Sequence, residues 1–229
     1  MVIKSPVFVL SKDAMNKKPT YNQKQKTLAI IQGIQQAVQT YDQNLVGKTF
    51  LYVYENRCIE VIYRSKDFLH MTGVDTKLSA TDFYKNAKNG KLSIGQIFFS
   101  TRHPFNLCKL KVSQLSNFIS VINSPLLILE DLQTQTLTYK FGLTELNFTV
   151  CLDHDSGSTG IPVSNYYVVR SLRVEDSFSR GQDAYEVNFI FCKNNTSEKY
   201  STVTYKDAGK SINSLPQNIL EKLDETLYK

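Results

Sequence analysis

Apolar residues recur at helical and strand periods in an order that already suggests an architecture. From Gln23 onward, Leu28, Ile31, Ile34, Val38, Tyr41 and Leu45 fall three and four positions apart, which predicts a helix that Gly47 ends. Thr49–Tyr54 and Cys58–Tyr63 are dense β-branched and aromatic runs split by Glu55-Asn56-Arg57, the pattern of a β-hairpin. Ser79 with Asp82 three positions on resembles a capping box, starting a short helix to Lys88 that Asn89-Gly90 stops. Lys91–Phe99 fits either an extended segment or a short helix. After a turn at Arg102–Phe105, the positions Leu110, Leu115, Phe118, Ile119 and Ile122 predict a second long helix, closed before Pro125.

The remainder reads as strands: Leu126–Glu130, Thr136–Phe141, Leu146–Leu152, Tyr166–Val174, Tyr185–Lys193 and Tyr200–Lys206. Residues 153–160 form the loop whose composition is most flexible, and Leu215–Leu227 returns to helical spacing. Helices first and strands afterwards mean an α+β fold, a mainly antiparallel sheet with helices packed on one face. Residues 1–22 read as a basic flexible N-terminal arm, and residues 23–229 as a single domain.

Charge sharpens that division. The chain carries a net +6, and residues 1–26 hold six lysines, Lys17 and Lys18 among them, against Asp13 alone. The excess is thus concentrated in the arm. It reads either as a solvated leader or as a basic arm that raises affinity for nucleic acid. Cys58, Cys108, Cys151 and Cys192 lie in apolar runs without a CxxC spacing, as buried reduced thiols of a cytosolic protein do. No stretch is long and apolar enough for a transmembrane helix.

Candidate chemistry centres on Phe68-Leu69-His70-Met71-Thr72-Gly73-Val74, which sets a histidine and a hydroxyl beside a glycine after two hydrophobic runs. His70, His103 and His154 have no second ligand at metal spacing, so neither metal nor cofactor is expected. The compact Asp153-His154-Asp155 trio reads as structural or solvent-exposed. P-loop and GxSxG motifs are absent. What is left is acid–base chemistry on phosphate, for which histidine supplies the proton transfer, and lysine and hydroxyl groups stabilise a phosphorane. Two sets of residues could serve: His70 and Thr72 with Lys77 and Lys91, or Ser201, Thr202, Thr204 and Lys206 of the last strand. The plain alternative is that His70 is a satisfied structural histidine.

The same motif, followed by Leu78-Ser79-Ala80, Asp82-Phe83-Tyr84 and Gly90-Lys91-Leu92-Ser93, resembles the phage-borne nuclease-like group of the barnase–EndoU–colicin–RelE superfamily. Tyr185–Phe191 and Tyr200–Lys206 resemble its closing strand pair, and the likeness runs from about residue 40 to 220. It implies an α+β nuclease fold, metal-independent RNA cleavage, and residence on phages or integrative elements. Met71 stands where the group often has Leu, a volume-conserving exchange. On this reading His70 is the general acid or base, and Thr72 orients it or the phosphate. Thr204 assists from the closing strand, and Lys77, Lys91 and Lys206 contact phosphates. The expected partner is RNA, such as tRNA or guide RNA. A second reading is a non-catalytic inhibitor or adaptor bound to a host defence complex such as a CRISPR effector. A third is a domain that binds nucleic acid only through the arm.

Overall fold

A computed structural model describes residues 20–134, 137–156, 161–174, 177 and 180–229. Helix α1 (Tyr21–Asn44) starts two residues before the expected position. Thr20 caps it, its hydroxyl accepting from the Gln23 amide while the Gln23 side chain reaches back to the Thr20 amide. Tyr21 and Asn22 therefore belong to the helix and not to the arm, whose residues 1–19, with Lys17 and Lys18, lie outside the described residues. Strands β1 (Lys48–Tyr54) and β2 (Arg57–Ile62) form the expected hairpin. Its turn needs positive φ at both central residues, and Glu55 (44°) and Asn56 (61°) adopt it.

Three short elements follow: α2 (Phe68–Thr72), β3 (Asp75–Thr76) and α3 (Ala80–Lys88). The ambiguous stretch after them resolves into a 3₁₀ turn, Ile94–Gln96, and β4 (Ile97–Phe98), which pairs with β3. The predicted second helix is shorter than its apolar spacing implied. Helix α4 (Phe105–Leu115) stops, and Phe118–Ile122 continues as a 3₁₀ turn after a break at Asn117.

The strands β5 (Leu127–Gln133), β6 (Thr138–Thr144), β7 (Thr149–Ser156), β8 (Pro162–Arg173), β9 (Asp183–Glu186), β10 (Phe189–Asn194) and β11 (Thr202–Lys206) complete a nine-stranded sheet. Its order is β11-β10-β1-β2-β8-β7-β6-β5-β9, antiparallel except for β2 with β8. Two boundaries differ from expectation. Leu146, at φ 77°, sits in a turn, so β7 begins at Thr149, and it runs through Asp153–Ser156 where a loop was expected. The expected strand Tyr185–Lys193 is split, and the split organises the sheet. β9 pairs with β5 and β10 with β1, although only Val187 and Asn188 separate them, and these donate to Leu126 and Val53. The sheet therefore curls until its two sides share one length of chain.

The concave side holds the main core. Phe50, Tyr52 and Tyr54 of β1 point into it with Ile59 and Val61 of β2, and α1 to α4 cover it. The period of two sends Leu51 and Val53 to the other face, where Ile212, Leu215, Ile219 and Leu223 of the C-terminal segment cover them. That segment is only partly helical, with α5 (Gln217–Leu220) and a 3₁₀ turn at Glu225–Leu227. The fold is the expected α+β type, with α1 to α4 on one face of a mainly antiparallel sheet.

Candidate active site

The segment after β2 is folded by its own spacing. Phe68, Met71 and Thr72 stand at i, i+3 and i+4, so a single short turn of helix buries all three and leaves His70 on the opposite, exposed side. Gly73 ends α2 at φ 70°, a left-handed conformation that suits glycine. It also admits a close neighbour, because a Cβ there would lie 2.8 Å from Lys111 Cδ. Cys108 Sγ donates to the Gly73 carbonyl at 3.0 Å. Helix α4 thus fixes the end of α2 through two residues one turn apart, and α2 also packs against α3 and β8.

Arg64 anchors the other end. Its Nε and one terminal nitrogen donate to the two Asp67 oxygens at 2.8 and 3.0 Å, and its other terminal nitrogen donates to Asp155 of β7. Tyr41 of α1 donates to the Arg64 carbonyl at 3.0 Å. Arg170 of β8 donates to the His154 carbonyl and the Ser156 hydroxyl across β7. Lys111 is buried, and among the described residues no carboxylate pairs with it.

These charges converge on His70. Loss of water on its packed flank lowers the imidazole pKa below the usual histidine value; Asp67 opposes this, and Arg170, Arg64 and Lys111 reinforce it. Burial, then Arg173, similarly lowers the pKa of Lys111. The arrangement is an exposed, neutral imidazole on which one carboxylate and three cations bear. It can accept a proton at neutral pH, and its surroundings favour an anion.

The expected residues are not all gathered here. Thr72 is fully buried, its hydroxyl donating to the Leu69 carbonyl at 2.8 Å and accepting from the Val74 amide, so it shapes the end of α2 and is not presented to solvent. Thr204 donates to Ile190 across the β10–β11 pair, and Lys206 is exposed at the end of β11. Strand β11 lies four strand steps from β8, roughly 19 Å at the usual spacing. Lys77 and Lys91 are exposed at the two ends of α3 and are not among the charges that bear most on His70. Sequence reading missed Arg64, Lys111 and Arg170. Arg64 directly follows the hairpin and precedes the motif, a signal available in the chain order. Lys111 and Arg170 lie on elements whose approach to α2 only the fold decides.

The other two histidines are structural in their contacts. His103 Nδ1 meets Asp75 Oδ1 at 2.7 Å, tying β3 to the start of α4. His154 is half-buried in β7, 4.6 Å from the Tyr167 ring. Among the described residues no group of His, Cys, Asp or Glu side chains is arranged to hold a metal, and no helix is long and apolar enough to cross a membrane. Cys58, Cys108 and Cys192 are free thiols.

No curated protein and no solved structure matches the chain. A family model does, over residues 33–209, which takes in the hairpin, the His70 segment, α4 and every strand through β11. The chain belongs to the family described as phage-Barnase-EndoU-ColicinE5/D-RelE like nuclease 4 (PBECR4), and its fold is a nuclease-like domain of that group.

Proposed function

We propose that the protein cleaves RNA without a metal, at His70, in the cytoplasm of a cell that carries a phage or related element. The observation that carries this reading is the exposed imidazole of His70, kept neutral first by loss of water on its packed flank, with Arg170, Arg64 and Lys111 near enough to bear on it. His70 takes the proton of a ribose 2′-hydroxyl. The freed oxygen attacks the adjacent phosphorus, and the 5′-oxygen leaves with a proton from the imidazolium or water. A cyclic phosphate and a 5′-hydroxyl result. Arg170 holds the phosphate, and the buried Lys111 contributes its field to offset the charge that develops on the phosphorane. Arg64 is largely committed to Asp67 and Asp155, so it acts mainly by fixing the site. Lys77, Lys91, Lys206 and the arm lysines Lys17 and Lys18 supply sequence-independent attraction along the RNA backbone.

The test is incubation of the purified protein with tRNA or guide RNA in EDTA, beside the His70→Asn variant. The variant is expected to cut about 10²- to 10⁴-fold more slowly, the usual worth of a general base. Equal cutting by both would remove His70 from the mechanism, and no cutting by either would remove the nuclease reading.

A second reading is favoured by one observation. Neither Thr72 nor Thr204 reaches His70, so no second acid–base group of the expected set stands beside it. On that reading the site binds a phosphate of a ribonucleoprotein, such as a CRISPR effector, and inhibits it without cutting. RNA or effector binding that survives while cleavage is undetectable is its signature.

A further inference from the structure

Strands β2 and β8 pair at only two positions, Val61 with Tyr167 and Ile62 with Val168. Toward Arg57 the two strands part, while the start of β8 stays with β7 through Ser156 and Pro162. The gap is a cleft of about 670 Å³. Phe141 and Tyr167 form its inner wall, their rings edge to face at 4.9 Å, and His154 lies against Tyr167. Tyr166, Arg57 and Lys222 stand at its rim.

Its electrostatics differ from those around His70. Arg57 is bound to Glu130 at 3.0 Å and stacked on Tyr54 and Tyr185, and Lys222 is bound to Glu60 at 2.6 Å. Both cations are thus neutralised by carboxylates, and the cleft is aromatic and close to uncharged. Such a site suits a flat, neutral ring whose edge offers N–H groups, and it suits a phosphate poorly. The two sites are neighbours, because Arg170 bears on His70 and donates to the carbonyl of His154. Arg170 stands three positions beyond Tyr167 along β8, roughly 10 Å.

We infer that this cleft receives one unpaired nucleobase of a single-stranded RNA whose phosphate lies at His70. The inference rests on the reading of His70 as the RNA site and adds the strandedness of the substrate. A base in a duplex is stacked and paired and cannot enter the cleft, whereas an unpaired base can stack on Tyr166 or His154.

The experiment uses the full chain carrying His70→Asn, so that cleavage does not interfere, and a short single-stranded oligoribonucleotide bearing one aminopurine reporter base. Scanning the reporter along the strand, one position is expected to be quenched on binding, and excess duplex of the same sequence is expected to compete poorly. Tyr166→Leu and His154→Leu, each checked for unchanged melting, are expected to weaken binding about 5- to 150-fold, as loss of one base stack does. Wild-type affinity in both variants with no quenched position, equal competition by duplex, or no binding of the oligonucleotide would overturn the inference. Failure of the nuclease reading looks different: wild-type protein leaves RNA uncut while the quenched position and the variant effects persist.

Discussion

Arg64 offers the most exacting check on how the site is held together. Arg64→Met keeps the length and apolar stem of the side chain and removes the guanidinium. Asp67, only 4% exposed at its side chain, then loses two charge-assisted hydrogen bonds and becomes a buried carboxylate without its cation. Breaking a buried pair from one side typically costs about 3–5 kcal/mol. Arg64 itself is 20% exposed, so water can reach part of the gap, and the lower end, about 3 kcal/mol, is expected. For a chain of this size that lowers Tm by about 6–12 °C. The assay is thermal and urea unfolding followed by circular dichroism, with Asp67→Asn and the double variant completing a cycle. Asp67→Asn should cost less than Arg64→Met, because Arg64 keeps Asp155. The double variant should recover part of the loss. A loss below about 1 kcal/mol for Arg64→Met would place the pair among ordinary surface ion pairs and refute the claim that it anchors the His70 segment.

Three further outcomes follow from the same contacts. Tyr52 donates to the Val121 carbonyl at 2.9 Å and accepts from Tyr63 at 2.7 Å, so Tyr63→Phe removes one bond for about 1 kcal/mol, while Tyr52→Phe strands a carbonyl and a hydroxyl and should cost about twice that; urea unfolding of the two variants reads the order, and a reversed order contradicts the donor assignment. Because the folded-state pKa of His70 is lowered, its deprotonated form persists below the unfolded value, so any stability it contributes is present above pH ~6.5 and lost as pH falls; a plot of cleavage rate against pH should fall only below pH ~6.5, and an inflection above that value in the rate or in imidazole NMR shifts would show the local charges to be misread. Gly73→Ala places a methyl group at a left-handed φ and against Lys111 Cδ; about 1–3 kcal/mol of stability should go, with weaker oligonucleotide binding, and unchanged melting would mean that α2 ends differently.

The chain by itself determined a good deal. Local signals have local consequences: the capping pair at Thr20 and Gln23, the two positive-φ turn residues of the hairpin, and the i, i+3, i+4 spacing of Phe68, Met71 and Thr72 act within one or two turns of backbone. The α+β class, the hairpin and α3 were legible for that reason. The errors share a cause as well. The apolar spacing through Ile122 could not reveal that Phe118–Ile122 must turn to hand Val121 to Tyr52, and the Tyr185–Lys193 run could not reveal that two strands on opposite sides of the sheet would divide it. Thr72 looked chemically usable because its hydroxyl is near His70 in sequence, but the helical twist turns the two residues to opposite sides. The companions of His70 were a matter of tertiary structure alone. Lys111 and Arg170 lie 41 and 100 positions beyond it, and they reach it because α4 docks on Gly73 and β8 runs parallel to β2. Sequence singled out His70 as a candidate. The packing of α4 and β8 decided the charges around it, because long-range electrostatics depends on distance in space, and only the closed core fixes that distance.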